Sequence, residues 1–327
     1  MPSAIVDAIK ASLLDGTSHS CAQFEENHFC VLRPQSAPFA PLLKELKHCF
    51  DTVARVPNQV EFLLSSGPVR LTKPGVFECD LHNDAHRSKL PLFSLMMEES
   101  LGPLVQLFKE HLPSLADLCD INNVADAKTH TTLKLQLNTG GSFPWHYDNP
   151  GVPNKRRLTM AVYLTEHWES CNGGEVLFQP FLKPEVSVSP QYVTVVLFRS
   201  DTALHAVRPF HASPACPARH CFTVWFDGAS TNTDDDVNLR AKHLSMESLP
   251  LLQSTPLQRV LSRAVYDEEY RSRLAECFGG PNCRDARVAV AMHEAHLKPL
   301  LANSAVASFV AVLRKEKAQL LASTSAH

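Results

Sequence analysis

The residues with the clearest capacity for chemistry lie in the segment FPWHYDNPG, where His146 and Asp148 stand two apart. On an extended strand, residues i and i+2 share a face, so an imidazole and a carboxylate can be offered to one ion. A second imidazole, His205, precedes a later β-rich run, after enough chain to cross a barrel and return beside the first pair. Two histidines and one carboxylate on one face of an ion, with the opposite positions open, form the donor set of non-haem Fe(II) oxygenases. On spacing alone, the same residues also fit a surface turn in which Asp148 caps the backbone and His205 is a core side chain.

With 16 histidines in the chain, the pattern H-x-[D/E] arises by chance, and it does so elsewhere. His82 and Asp84 precede the β-rich region and read as a capped or solvated loop. His167 and Glu169 fall in the connection before Gly173-Gly174 and read as solvent-facing. His293 and His296 have the wrong spacing for a metalloprotease helix and read as an exposed helix face. An independent signal comes from ARHCFTVWFDG, where alternation puts Arg219, Cys221, Thr223 and Trp225 on one face. An arginine and a hydroxyl inside an apolar barrel suit an anion held by a bidentate guanidinium, with a structural Arg–Asp pair as the alternative.

Positioning these groups requires a β framework, and the middle of the chain supplies one. Residues 133–137, 158–165, 175–181, 192–199, 206–210 and 220–226 are short β-rich runs separated by Gly- and Pro-containing turns. Many short strands without intervening helices indicate a sandwich or barrel and exclude a Rossmann alternation. Neither G-x-G-x-x-G nor G-x-x-x-x-G-K occurs. Before this region, helical periods cover 4–14, 39–53 and 92–112, with short strands at 59–64 and 75–79. After it, Thr255-Pro256-Leu257-Gln258 reads as a capping box opening a helix that Gly279-Gly280-Pro281 stops. A last helix is expected from Asp285 to Leu321, its Leu297, Leu301, Phe309 and Leu313 packed on the barrel. The division is therefore 1–125 as an N-terminal helical and mixed support region, 126–230 as the β core, and 231–327 as a C-terminal helical extension.

Composition narrows the function classes. In 327 residues, 31 Lys and Arg oppose 34 Asp and Glu, a net charge of −3, so no global positive field exists to hold nucleic acid. No apolar run is long enough for a spanning helix, and the N-terminus lacks the apolar core of a signal peptide. The reading is an intracellular protein, cytoplasmic or nuclear, without a membrane partner. Ten cysteines without a C-x-x-C pair read as reduced thiols.

From Leu133 to Phe226 the chain resembles the prolyl 4-hydroxylase type of 2-oxoglutarate- and Fe(II)-dependent dioxygenase, especially the prolyl hydroxylases of hypoxia-inducible factor. The matching pieces occur in order as HYDNP, LTMAVYLTEHW, GGEVLF, YVTVVLFRSD, LHAVRPF and RHCFTVWF. The resemblance implies an α+β protein whose core is a double-stranded β-helix, or jelly roll, with flanking N-terminal helices and a C-terminal helical extension. It implies that His146, Asp148 and His205 bind Fe(II), and that Arg219 pairs with the distal carboxylate of 2-oxoglutarate. By the same token the Tyr163 hydroxyl reaches that carboxylate, with the Thr223 hydroxyl nearby. Gln136 departs from the pattern, standing where those relatives carry a tyrosine. The long stretch HASPACPA makes Arg208 a rival to Arg219, although alternation points Arg208 away from the metal. The implied cofactors are Fe(II), 2-oxoglutarate and O2, with ascorbate as reductant and succinate and CO2 as products; Asp148 argues against a halogenating variant. A prolyl residue of a protein or peptide leads as substrate. Another amino acid, a nucleobase or a small metabolite stands behind it, and a catalytically silent binding module is the alternative from a different class. Lys155, Arg156 and Arg157 are expected near the pocket mouth, where they would attract an acidic peptide, or else at a solvated hairpin tip.

Overall fold

The computed structural model describes residues 2–49, 55–64, 67–229 and 238–324. Its strands are β1 (Phe29–Leu32), β2 (Val56–Leu64), β3 (Gly67–Asp80), β4 (Thr131–Asn138), β5 (Phe143–His146), β6 (Arg156–Tyr163), β7 (Val176–Phe178), β8 (Val186–Val188), β9 (Val195–Arg199), β10 (His205–Val207) and β11 (Arg219–Asp227). They form a seven-stranded sheet, β1-β9-β6-β11-β4-β3-β2, and a four-stranded sheet, β5-β10-β7-β8. Every strand pairing is antiparallel. Two facing antiparallel sheets with helices at both ends of the chain make the jelly-roll, double-stranded β-helix expected from the sequence.

Side-chain alternation explains how one sheet serves two environments. In the large sheet Leu158, Met160, Val162, Phe222, Val224 and Phe226 face outward into a core shared with the N-terminal helices. Their neighbours Ala161, Tyr163 and Cys221 face inward, toward Val176 and Phe178 of the small sheet. The N-terminal helices are α1 (Pro2–Leu13), α2 (Ser20–Asn27), α3 (Ala40–Cys49), α4 (Asp84–Arg87), α5 (Pro91–His111) and α6 (Val124–His130). The longest, α5, starts with Pro91 at a position that lacks an amide acceptor anyway, and buries Phe93, Met97, Leu101, Leu104, Val105 and Phe108. Of the helix expected over 39–53, α3 covers most; residues 50–53 lie outside the described residues.

The C-terminal helices are α7 (Leu249–Ser254), α8 (Gln258–Val265), α9 (Asp267–Cys277), α10 (Arg284–Leu301) and α11 (Ser304–Thr324). Leu297, Phe309 and Leu313 share a core with Trp145, Leu177, Leu204 and Ala206, so this block covers the back of the small sheet. Four expectations are corrected here. The Thr255 hydroxyl donates back to the Leu251 carbonyl and caps nothing ahead of it, while Gln258 is buried. The helix read as continuous to 278 breaks at Tyr266, whose hydroxyl accepts the Leu182 amide at 2.8 Å. The helix read over 285–321 is two helices at 115°, the second begun by Asn303 accepting the Ala305 amide at 3.0 Å. On α10, His293 is also not exposed. It is 1% exposed, bonded to Asp267 at 2.8 Å and stacked on Tyr270, because α9 covers that face. No single described helix is long and apolar enough to cross a membrane.

Candidate active site

His146 closes β5 and His205 opens β10, and the two are direct partners across the antiparallel ladder. Their ring centroids lie 4.2 Å apart. Asp148 follows in the turn after β5, its Oδ1 3.5 Å from His146 Nε2 and 3.7 Å from His205 Nε2. One ligand atom from each residue lies within 4.8 Å of the other two, a cluster that can hold a metal ion.

Neighbouring atoms orient these donors. His146 Nδ1 meets the Pro144 carbonyl at 2.8 Å and His205 Nδ1 meets the Ala203 carbonyl at 3.1 Å. A ring nitrogen facing a carbonyl carries the proton, which leaves each Nε2 lone pair for a metal. Asp148 Oδ2 accepts from Thr159 Oγ1 and Trp225 Nε1, both at 2.8 Å, so Oδ1 is the oxygen left for the ion. Burial alone would raise the Asp148 carboxyl, but the histidines and the Trp225 N–H outweigh it and hold it well below the usual carboxylate range. Burial, with His146 beside it, pushes His205 down to about 4. Both groups therefore stand in the protonation state that a metal ligand needs.

The pocket behind this cluster, about 220 Å³, runs between the sheets. Arg219, Cys221, Thr223 and Trp225 of β11 line it, as do Thr159, Ala161 and Tyr163 of β6. Arg219 is 2% exposed, its guanidinium 4.7 Å from the Tyr163 ring. Its Nε has no hydrogen-bond partner, and among the described residues no carboxylate pairs with it, so the structural Arg–Asp alternative is set aside. Burial pushes the Tyr163 phenol above its ordinary value despite the opposing pull of Arg219, so the hydroxyl remains a donor. Thr223 Oγ1 lies 3.4 Å from Cys221 Sγ. Gly173 and Gly174 both have left-handed φ, and a Cβ on Gly174 would come within 3.0 Å of Arg219 Cδ. Gly174 thus leaves room for the arginine stem, while a Cβ on Gly173 would come within 2.3 Å of the Pro209 carbonyl oxygen.

At the mouth, Lys134 pairs with Glu78 at 2.5 Å, and Lys73 donates to Asn58 at 2.7 Å while lying over the Phe143 ring. Gln136 lines the same wall. Of the three basic residues expected there, only Arg156 lines the pocket, 4.7 Å above the Trp225 ring. Lys155 is exposed, and Arg157 turns away into ion pairs with Asp117 at 2.8 Å and Asp201 at 2.7 Å. Arg208 reaches Glu185 at the surface and does not line the pocket. His82 faces the Thr131 carbonyl at 2.7 Å, Asp84 pairs with Arg87 and Lys128, and His167 is exposed.

The structure therefore brings together His146, Asp148, His205, Tyr163, Arg219 and Thr223 in one cavity. Sequence reasoning missed Thr159 and, apart from Gln136, the β3–β4 wall. Thr159 was recoverable, because it lies four residues before Tyr163 on the same strand face.

Comparison with known proteins agrees with this geometry. The family model described as the 2OG-Fe(II) oxygenase superfamily matches residues 132–227. The chain is 32% identical to a solved prolyl 4-hydroxylase from Phytophthora capsici, over 98% of this chain and 96% of that one, with a TM-score of 0.76. A prolyl hydroxylase from Trichoplax adhaerens, solved with a peptide of hypoxia inducible factor, is 17% identical over 69% of this chain and 90% of that one, with a TM-score of 0.48. A Pseudomonas putida prolyl-4-hydroxylase is 16% identical over 65% and 99%, with a TM-score of 0.45. No curated protein matches the chain. The chain belongs to the prolyl 4-hydroxylase family of the 2OG-Fe(II) oxygenase superfamily and is a dioxygenase using Fe(II), 2-oxoglutarate and O2. The residues present suit those groups: a three-donor cluster with one carboxylate oxygen left over, and a buried, unpartnered guanidinium nitrogen in the cavity beside it.

Proposed function

We propose that this dioxygenase hydroxylates a prolyl residue in an extended segment of a protein or peptide. The observation that carries the reading is the whole-length likeness to the Phytophthora capsici prolyl 4-hydroxylase. His146, Asp148 and His205 would hold Fe(II) on one face and leave the other positions open. Arg219 and the Tyr163 hydroxyl would orient the distal carboxylate of 2-oxoglutarate, with Thr223 beside them. When bound, the metal and cosubstrate supply the oxidising power, releasing succinate and CO2, and ascorbate would keep the metal reduced. The protein contributes position and exclusion of water. Thr159 and Trp225 keep Asp148 turned so that one oxygen serves the metal. Lys73, Lys134 and Arg156 outnumber Glu78 along the wall and mouth, which favours acidic residues flanking the target proline.

The test is incubation of the purified chain with acidic proline-containing peptides, beside matched alanine and hydroxyproline controls, followed by mass spectrometry. One added oxygen on proline, with stoichiometric succinate, is the expected result. Oxygen found only on other residues, or only on nucleic acid or metabolites, would overturn the substrate assignment.

A further inference from the structure

The three residues flanking the donors His146 and Asp148 are gripped from behind by the C-terminal helices. Trp145 is buried with Tyr266 and Tyr270. Tyr147, between the two donors, places its hydroxyl 2.7 Å from Ser262 Oγ and 3.5 Å from Gln258 Oε1. Ser262 donates its own proton to the Gln258 carbonyl at 2.7 Å, so the tyrosine must be the donor to Ser262. Asn149, directly after Asp148, has its carbonyl held by Arg259 Nη1 at 2.7 Å. Ser262 and Gln258 are at most 1% exposed. Meanwhile, among the described residues, β5 is an edge strand paired with β10 alone, and α9 packs along it.

A strand supported on one edge, running into a turn, does not by itself fix two metal donors. We propose that Ser262, Gln258 and Arg259 of α8 are positioning residues for the metal site, acting through Tyr147 and Asn149 to keep His146 and Asp148 in register with His205. The proposal rests on the metal-site reading and is independent of which substrate is hydroxylated.

The test uses Mn(II) alone as the probe, with the full chain and no cosubstrate, and reads metal affinity from the electron paramagnetic resonance of free Mn(II). Arg259→Met, Ser262→Ala and Tyr147→Phe should each weaken Mn(II) binding by about tenfold or more, as loss of an outer-shell partner does. Arg259→Lys should recover part of the affinity. The comparison is Arg314→Met, which removes bonds to the Ala264 carbonyl at the far end of the same helix. That variant should lower the melting temperature and leave Mn(II) affinity unchanged. If the α8 variants remain folded and bind Mn(II) like the parent, or lose no more affinity than Arg314→Met, the positioning role is refuted. If His146→Ala itself keeps full Mn(II) affinity, the metal-site reading fails instead.

Discussion

On the proposed reading, Arg219 sets function against stability at the scale of one residue. It is buried, stacked on Tyr163, and left with an unpartnered Nε. A buried charge without a counter-ion destabilises the fold unless a ligand anion completes it. Removing one side of such a pair commonly costs about 2–5 kcal/mol of binding. Arg219→Met should therefore raise the 2-oxoglutarate KM by about 30-fold or more. It should also leave the apo protein as stable as the parent or more so. Arg208→Ala, which removes only a surface contact to Glu185, should change neither. Titration of succinate formation against 2-oxoglutarate, with thermal melts of the apo forms, checks both signs; equal KM changes in the two variants would mean that the anion lies elsewhere. The inward face of β11 was legible because alternation is a property of one strand. The hold of Thr159 and Trp225 on Asp148 was not, since it depends on β6 and β11 being neighbours.

At the scale of elements, the reading succeeded where a period had room to show itself. Helix α5 carries its apolar face over 21 residues and was anticipated to within a residue at each end. Helix α2 buries only Phe24 among its apolar side chains, and β1 has four residues, so neither displays a period, yet β1 completes the edge of the large sheet. The breaks at Tyr266 and Asn303 were invisible for a different reason: both adjoining pieces are helical, and tertiary anchoring decides where the axis turns. The α2–β1 junction also carries a titratable group. His28 has φ 64°, caps α2 through the Phe24 carbonyl, and accepts the Arg199 amide at 2.9 Å. Burial, with Arg199 nearby, pushes its imidazole down to about 4. The unfolded chain then binds the extra proton between about pH 6.5 and 4, so the contribution of His28 is intact above this window and is lost as pH falls through it. The loss amounts to up to about 3 kcal/mol. Asparagine tolerates the left-handed backbone, so His28→Asn should flatten the acid limb without disturbing the cap. Urea denaturation at several pH values across the window measures this, and identical slopes for both proteins would assign the acid sensitivity to other groups.

Across the whole molecule, apolar packing is divided among separate bodies. The N-terminal helices share a core with the outer face of the large sheet, and the C-terminal helices share one with the outer face of the small sheet. Between the sheets, among the described residues, lie a small cluster around Phe178, Phe198 and Tyr163, a smaller one of Val76, Phe143 and Val207, and the pocket. Most of the apolar packing therefore lies on the outer faces of the sheets, and a ligand bound in the interior should add to the stability of the fold. A ligand that binds only the folded state at about 100 times its Kd adds about 2.7 kcal/mol. For a chain of this length, that is a rise of roughly 3–6 °C in melting temperature. Mn(II) alone should produce such a shift, and 2-oxoglutarate should add a second increment on top of it. His146→Ala should lose the Mn(II) response, whereas Arg219→Met should keep it and lose only the 2-oxoglutarate increment. Calorimetry of the three proteins, each with buffer, Mn(II), and Mn(II) plus 2-oxoglutarate, distinguishes the two contributions. A full Mn(II) shift in His146→Ala would place the stabilising metal outside the inter-sheet pocket and sever the link between site occupancy and the stability of the barrel.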